Sequence, residues 1–577
     1  MKLRLKSKTL FASFTFFFKY AKLVVVILMN ERIKRIVRLF LAADCVILLI
    51  YASVNYCIPF LNSLVHPVRY IRTDEEVLHV TSLSIDQGEA SEHPVALVRG
   101  TKVQLLDTNG EQAEVEFNGE KLTVPASHLA KTLEECVDTP YVYPRRLINL
   151  FDEKDGKLTA ESASKGEQLE VVNVSTNDLD PTTGIVKWYE ITKNDKRYWV
   201  PGAWVETNEK RAVRNYGTNV SYTTDWNEYY GKDHSKDAYI DQIDYKPMIK
   251  PAYDDNVMPE TVNAYHVSME NFISNQQELL ALKDHTSINA LVVEFKTDDG
   301  IVCYESSVPE KYLKDPSAAI SPQITIEQLE KDFERFEKAG YYMIARISVF
   351  RDPVFASQNP KEAYSNADGS PAIVNGVAWP SPFSRKAWLY NVDLALEIAP
   401  FVNEVQFDYI RFSEYSTKMS GDLGLDFHNT YDESRAAAIQ GFLMYAHTKL
   451  EEQHVYVGAN LFAWPVVMRD DQDIGQFLPA MANAADVISP MPYLDHFQYT
   501  GQTPQETIYS FSSLVRTQLD ALEEPAKYRT WIQGYSLDPD SVRQEIDGIH
   551  QAGYDGYMVW AGNGDMEILR YIEPGLQ

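Results

Sequence analysis

The chain has 577 residues, 45% of them hydrophobic and 12% aromatic, and a formal net charge of −28. That length exceeds one compact domain, and the apolar content excludes a disordered chain, so a large domain with smaller modules is expected. So acidic a body lacks the basic face that phosphate contact requires, which excludes nucleic acid as a partner.

The charge is uneven. Ten cations between Lys2 and Arg38 face a single anion, Glu31, which leaves the remainder near about −37. Residues 1–38 therefore read as a basic cytoplasmic N-terminus. Residues 39–64, LFLAADCVILLIYASVNYCIPFLNSL, exceed the roughly 20 residues that cross a bilayer. The basic flank before them predicts an uncleaved signal anchor, with the body outside the cell on a single-pass membrane helix. An earlier apolar run, 10–28, is broken by Lys19 and Lys22. Met29 opens a more ordinary signal-anchor start, so the residues before it read as the product of a misplaced start codon.

Four cysteines are present, and Cys45 and Cys57 lie in the apolar segment. Cys136 and Cys303 stand alone, which leaves a bridge between them open. No zinc spacing or disulfide framework appears, and no metal or cofactor is expected.

Two stretches with strand alternation follow, at 90–135 and 140–207. Each runs through a hairpin and then a Val-Pro turn (Val124-Pro125, Val200-Pro201) into a last short strand, and the first has a tight Asn118-Gly119 turn. They resemble tandem bacterial SH3-type barrels, the second more closely through Trp188, Trp199 and Trp204. The resemblance implies wall binding or a spacer role, and both stretches are expected to fold without the C-terminal domain. Residues 208–258 read as a linker packing partly on that domain.

From 259 to 577 short apolar runs alternate with helical-period stretches. Eight strand candidates begin at Thr261, Asn289, Tyr341, Glu404, His454, Ala485, Arg529 and Gly556. The fold class expected is α/β: a (β/α)₈ TIM barrel preceded by two small all-β SH3-like domains and an N-terminal transmembrane helix. In such a barrel the chemistry sits at the strand C-terminal ends. Those ends carry Glu294, Lys296 and Asp298, then Arg346, then Gln406, Asp408 and Arg411. Trp464, Tyr493, Asp495, Gln533 and Trp560 follow. If Asp408 points inward, strand alternation sets Gln406, Ile410 and Phe412 on the same face.

The motifs VVEFKTDDG, ARISVFRDPVFA, GVAWPSPFSRKAWLYNVDLALE and VQFDYIRF resemble a bacterial glycoside-hydrolase-like family with a TIM-barrel catalytic domain, over about residues 261–571. The chain departs from that pattern at PMPYLDHF, where Asp495 replaces a smaller residue. The resemblance implies hydrolysis of O-glycosyl bonds in a polysaccharide or peptidoglycan.

Glycoside hydrolysis commonly needs two carboxyl groups. Asp408 is the first candidate, because an Asp inside an apolar strand is costly unless paired. Arg346 or Arg411 would pair it. Glu294 is the second, with an ion pair to Lys296 or Arg346 as its structural alternative. Lys296, Asp298, Arg346, Gln406, Arg411, Trp464, Tyr493, Asp495, Gln533 and Trp560 are the substrate-binding candidates. Trp379 is a further sugar-stacking candidate. His266 reads as a wall residue. The rival function is a non-catalytic binder of wall glycan; a polysaccharide deacetylase would need an Asp/His metal cluster, which the motifs lack.

Overall fold

The computed structural model describes residues 66–86, 89–214, 239–417, 423–497 and 501–577. The expected anchor at 39–64 and its basic flank lie outside the described residues. No described helix is long and apolar enough to cross a membrane. The molecule divides into two compact units. One covers residues up to Cys136 with Pro181–Gly184; the other covers Val137–Asp180 and Ile185–Gln577.

The first unit is an antiparallel sheet. Its hairpin turn at Asn118 and Gly119 has φ of 52° and 86°, the left-handed pair that Asn-Gly supplies best. That turn sets the register from Phe117 opposite Glu120 to Gln112 opposite Pro125. Val115, Leu122 and Val124 alternate into a core with Ile71 and Val103. The sheet begins earlier than position 90. Val68–Ile71 pairs with both Lys102–Asn109 and Leu129–Ala130, and Val77–Asp86 forms a long hairpin with Glu89–Val98.

The second unit opens with another seven-stranded antiparallel sheet, Tyr141 to Glu206. Its turn at Asn194 and Asp195 has the same left-handed pair of φ values, 51° and 58°. After Pro125 and after Pro201 the chain makes one 3-10 turn and enters a two-residue strand, so the repeated order read from the sequence is present in both sheets. This second sheet is not an independently cored module. Phe151 packs on Trp188 and Trp204 within the sheet and on Tyr445 of a barrel helix. Trp204 Nε1 donates to Thr448 Oγ1 at 3.1 Å. Arg145 pairs with Asp244 at 2.9 Å and Arg146 with Glu433 at 2.9 Å, all four buried. The apolar face of this sheet and the barrel form one core.

The stretch expected as a linker is described from 239 and packs on the barrel. Ile240, Ile243 and Met248 are buried. Lys250 Nζ donates to the carbonyls of Ala482, Asn483 and Ala485, which have no helical partner at the end of helix Leu478–Ala484.

The C-terminal region is a nearly closed barrel of nine parallel strands. In chain order they are β1 (Asn263–Val267), β2 (Ala290–Lys296), β3 (Tyr342–Ser348), β4 (Glu404–Asp408), β5 (Tyr456–Phe462), β6 (Val487–Met491), β7 (Lys527–Tyr528), β8 (Thr530–Gln533) and β9 (Tyr557–Trp560). Spatially the sheet runs from β7 through β6 down to β1, then to β9 and β8. Its two edges are the halves of one segment, interrupted at Arg529. The eight expected strands are thus all present, with the seventh broken in two.

The helices follow their sequence signals. Ile326–Lys338 is capped by Thr325 and buries Leu329, Phe333 and Phe336. Pro504–Leu519 has a capping box of Thr503 and Glu506. Arg435–Glu451 is buried along most of its length. It lies against the barrel through Phe442 and against the second sheet through Tyr445, so it needs no polar face.

Candidate functional site

Alternate residues of a barrel strand face the interior. Here Ala264, Val292, Ile344, Tyr456, Trp531 and Met558 form the inner cluster, while their chain neighbours join the outer core. At the lower end of the barrel, Glu404 takes two 2.9 Å hydrogen bonds from Arg529 Nη1 and one of 3.1 Å from the Tyr342 hydroxyl. The same inward positions continue upward to Glu294 on β2, Arg346 on β3, and Gln406 and Asp408 on β4.

Arg346 joins the two candidate carboxylates. Its Nη1 donates to Glu294 Oε1 at 2.5 Å. Its Nε and Nη2 donate to Asp408 Oδ2 at 3.0 and 2.7 Å. The second Asp408 oxygen accepts the backbone amide of Tyr409 at 2.7 Å. The side chains of Glu294 and Asp408 are 14% and 9% exposed, so both reach the barrel mouth.

The two carboxyls have different surroundings. Burial raises the pKa of Glu294; Arg346 opposes this, and the charges of Asp298, Asp408 and Asp299 add to the rise. Burial acts to lower Arg346, but the carboxylates of Asp408 and Glu294 outweigh it and hold the guanidinium charged. A carboxyl whose pKa burial raises, beside one that takes several donors, is the pairing that acid-assisted bond cleavage uses.

Aromatic groups complete the floor. The Trp560 ring lies 5.0 Å from the Arg346 guanidinium and stacks on His266 at 4.2 Å. Burial and Arg346 push His266 well below its usual pKa, so it is neutral. Gln406 Nε2 donates to Asn460 Oδ1 at 2.6 Å, and Trp531 Nε1 donates to the same oxygen at 2.7 Å. Burial and the charge of Asp408 raise Tyr493 well above the usual phenol range.

The other sequence candidates separate into three places. Asp298 accepts from the Tyr409 hydroxyl at 3.1 Å and pairs with Arg351. Arg411 contacts Glu414 and lies among the rings of Trp379, Tyr409 and Phe462. On another side of the mouth Tyr535 donates to Asp495 at 2.7 Å, and Gln533 Oε1 accepts the amide of Asp495 at 3.1 Å. Trp464 is 48% exposed and meets Phe497 edge to face at 5.5 Å.

Lys296 lies apart. It is sealed with Asp352 at 2.8 Å and also donates to Ser348 O and Asn391 Oδ1. The pairing between Glu294 and Lys296 weighed from the sequence is replaced by Glu294 with Arg346. Ile410 and Phe412 do not share the face of Asp408: β4 ends at Asp408 and both side chains enter the outer core. Tyr409 was missed as a site residue. No local pattern marks it, since an aromatic after an apolar run reads as more strand. Cys136 and Cys303 are free buried thiols, and burial pushes them up to about 11 and about 12. Among the described residues, no three His, Cys, Asp or Glu side chains are grouped to hold a metal ion.

Fold and site together define a parallel α/β barrel with an arginine-bridged carboxylate pair at its C-terminal mouth. The chain belongs to the family described as "putative glycosyl hydrolase domain", whose model matches residues 264–565. No curated protein sequence matches it. Among solved structures, a hypothetical protein from Ruminiclostridium thermocellum is 28% identical over 34% of this chain and 96% of its own, with a TM-score of 0.29. The chitobiase of Flavobacterium johnsoniae is 10% identical over 58% and 48%, with a TM-score of 0.36. The spore cortex-lytic enzyme SleL of Bacillus megaterium is 11% identical over 56% and 76%, with a TM-score of 0.33.

Proposed function

We propose that the protein is a membrane-anchored glycoside hydrolase that acts outside the cell on wall glycan or another extracellular polysaccharide. One observation carries this reading: Arg346 holds Glu294 and Asp408 together at the barrel mouth. Glu294, whose pKa burial raises, gives its proton to the leaving oxygen. Asp408 is the anion that attacks the anomeric carbon or activates water. Arg346 orients both. Trp464 offers a ring face for an adjoining sugar. The two β-sheet regions act as SH3-like spacers or wall-binding modules. Residues 39–64 are the anchor, and protease added to intact cells would then digest the body; protection until lysis would overturn that placement.

The enzymatic reading is tested with the full chain, purified peptidoglycan, and oligosaccharides from chitin, cellulose and mannan, with products read by mass spectrometry. Asp408→Asn keeps the shape and removes the charge, so it is expected to fold and to lose about 10²–10⁴-fold in kcat. Near-normal cleavage by a folded Asp408→Asn protein would sink the assignment. The second reading, a non-catalytic glycan binder, is favoured by the engagement of both Asp408 oxygens with protein donors. It predicts no product from any glycan. It also predicts a loss of about 3–5 kcal/mol of stability when Arg346 is removed, since two buried carboxylates lose their cation.

A further inference from the structure

Backbone bonds do not close the barrel along its full height. β6 is registered with β7 at Val487 and Ile488, opposite Lys527 and Tyr528, and Arg529 N donates to Ile488 O at 3.0 Å. Beyond Arg529 the chain turns to the other edge of the sheet, where Thr530–Gln533 of β8 is registered with Tyr557–Trp560 of β9. Among the described residues, no strand pairing joins β6 to β8 above Ile488, on the side of the C-terminal mouth. A parted edge leaves its polar groups to be satisfied by something other than a ladder.

Side chains cross this seam. Thr530 Oγ1 donates to Pro490 O at 3.0 Å. Higher, at the mouth, three bonds form a closed circuit. Gln533 Oε1 accepts the amide of Asp495 at 3.1 Å, and Gln533 Nε2 donates to the Tyr535 carbonyl at 3.0 Å. The Tyr535 hydroxyl returns to Asp495 Oδ2 at 2.7 Å. Gln533 is buried, so its bonds stay within the protein. Asp495 is the member on the β6 side and supplies both ends of the circuit, a backbone donor and a side-chain acceptor. Its other oxygen meets Nδ1 of His496 at 2.5 Å.

The circuit borders the candidate site. Tyr493, two residues before Asp495, belongs to the inner cluster of the barrel with Trp531, and Trp560 packs against that cluster. Trp560 lies 5.0 Å from the guanidinium of Arg346, which holds Asp408. The Tyr493 ring meets Tyr535 edge to face at 6.2 Å and His496 at 6.0 Å. The ring that faces the lumen is thus walled by both side-chain partners of Asp495. Burial and the nearby Asp408 charge keep its phenol protonated.

We infer that Asp495 is a positioning residue: its bond to Tyr535 laces the seam between β6 and β8 and fixes the wall of the mouth that carries Tyr493 beside the Arg346–Asp408 pair. The inference rests on the glycosidase reading above. It assigns Asp495 to the wall and not to sugar contact, since its amide and both carboxylate oxygens already meet protein groups.

One hydrogen bond has two ends, so its role is read from a double-variant cycle. Asp495→Ala removes the acceptor, Tyr535→Phe removes the donor, and the double variant removes both. Asp495→Asn keeps an acceptor oxygen for the Tyr535 hydroxyl. Each full-length variant is assayed on the peptidoglycan or oligosaccharide that the wild type cleaves, with kcat and KM resolved and folding followed by melting. Each of the first two variants is expected to lose about 10- to 100-fold in kcat with KM little changed, as for a site whose geometry has slipped. The double variant is expected to fall no further than the worse single one, and Asp495→Asn to regain kcat to within severalfold of the wild type. Wild-type kcat in a folded Asp495→Ala or Tyr535→Phe protein would overturn the inference. Losses that multiply in the double variant, a loss confined to KM, or an Asp495→Asn protein as impaired as Asp495→Ala would overturn it equally. If Asp495→Ala does not fold, Tyr535→Phe, which lacks a single oxygen, decides by its kcat alone. In all these cases the glycosidase reading survives, since the wild type still cleaves. Absence of cleavage by the wild type on every glycan would remove both.

Discussion

At the scale of single residues, the barrel mouth is governed by one cation shared between two carboxyls. Glu294 owes its raised pKa first to burial, and Arg346 opposes the rise. Asp298 is the first of the anions that add to it. Removing the Asp298 charge should therefore favour the ionised form of Glu294 and lower its pKa. If Glu294 is the general acid, activity is present while it is protonated and lost as pH rises through its pKa. The alkaline limb of kcat/KM is thus expected to move to lower pH in Asp298→Asn. A movement upward would contradict the acid role. Part of this was legible beforehand. Asp408 and Glu294 stood out because a charge inside an apolar strand needs a partner, and Arg346 was among the partners considered. Lys296 carried the same signal, yet it meets Asp352 outside the lumen. Strand positions two apart face the same side, but β2 shifts register between Glu294 and Lys296, and the irregularity has no mark in the sequence.

At the scale of elements, strands and hairpins were legible and their ends were not. The Asn118-Gly119 turn could be placed because only a few residues accept two successive left-handed positions. The barrel strands were found because runs of Val, Ile and aromatics recur between helical stretches. The break at Arg529 was hidden. Its side chain turns inward to meet Glu404, a partner more than a hundred positions away, and no local pattern encodes such a pairing. Helix Arg435–Glu451 shows the same limit from the other side. Its polar residues do not form a stripe, because Gln440 and His447 are buried and bonded to Asp244 and Asp486. A helix buried on two faces loses the amphipathic period on which sequence reading depends.

At the scale of the whole molecule, the same helix decides how the second unit is divided. Three buried links cross from the sheet to the barrel body: Arg145 to Asp244, Arg146 to Glu433, and Trp204 to Thr448. Arg385 strengthens the second by donating to both Asn149 and Glu433. Strand periodicity alone made the sheet look separable, since alternation reports which face is buried but not what buries it. The first unit has its own core of Ile71, Leu97 and Val115. A chain of residues 137–577 is therefore expected to melt in one cooperative transition. A chain of residues 239–577 would expose Tyr445, take Arg145 from Asp244 and leave Glu433 with Arg385 alone. Removing one member of such a buried pair costs about 3–5 kcal/mol, so losing two should bring unfolding or aggregation at temperatures where the longer chain is intact. The single change Arg145→Ala should lower the melting temperature of the longer chain in the same direction, by a smaller amount. If residues 239–577 melt cooperatively at the temperature of residues 137–577, the sheet is a separate module after all, and the shared core contributes nothing measurable to the barrel.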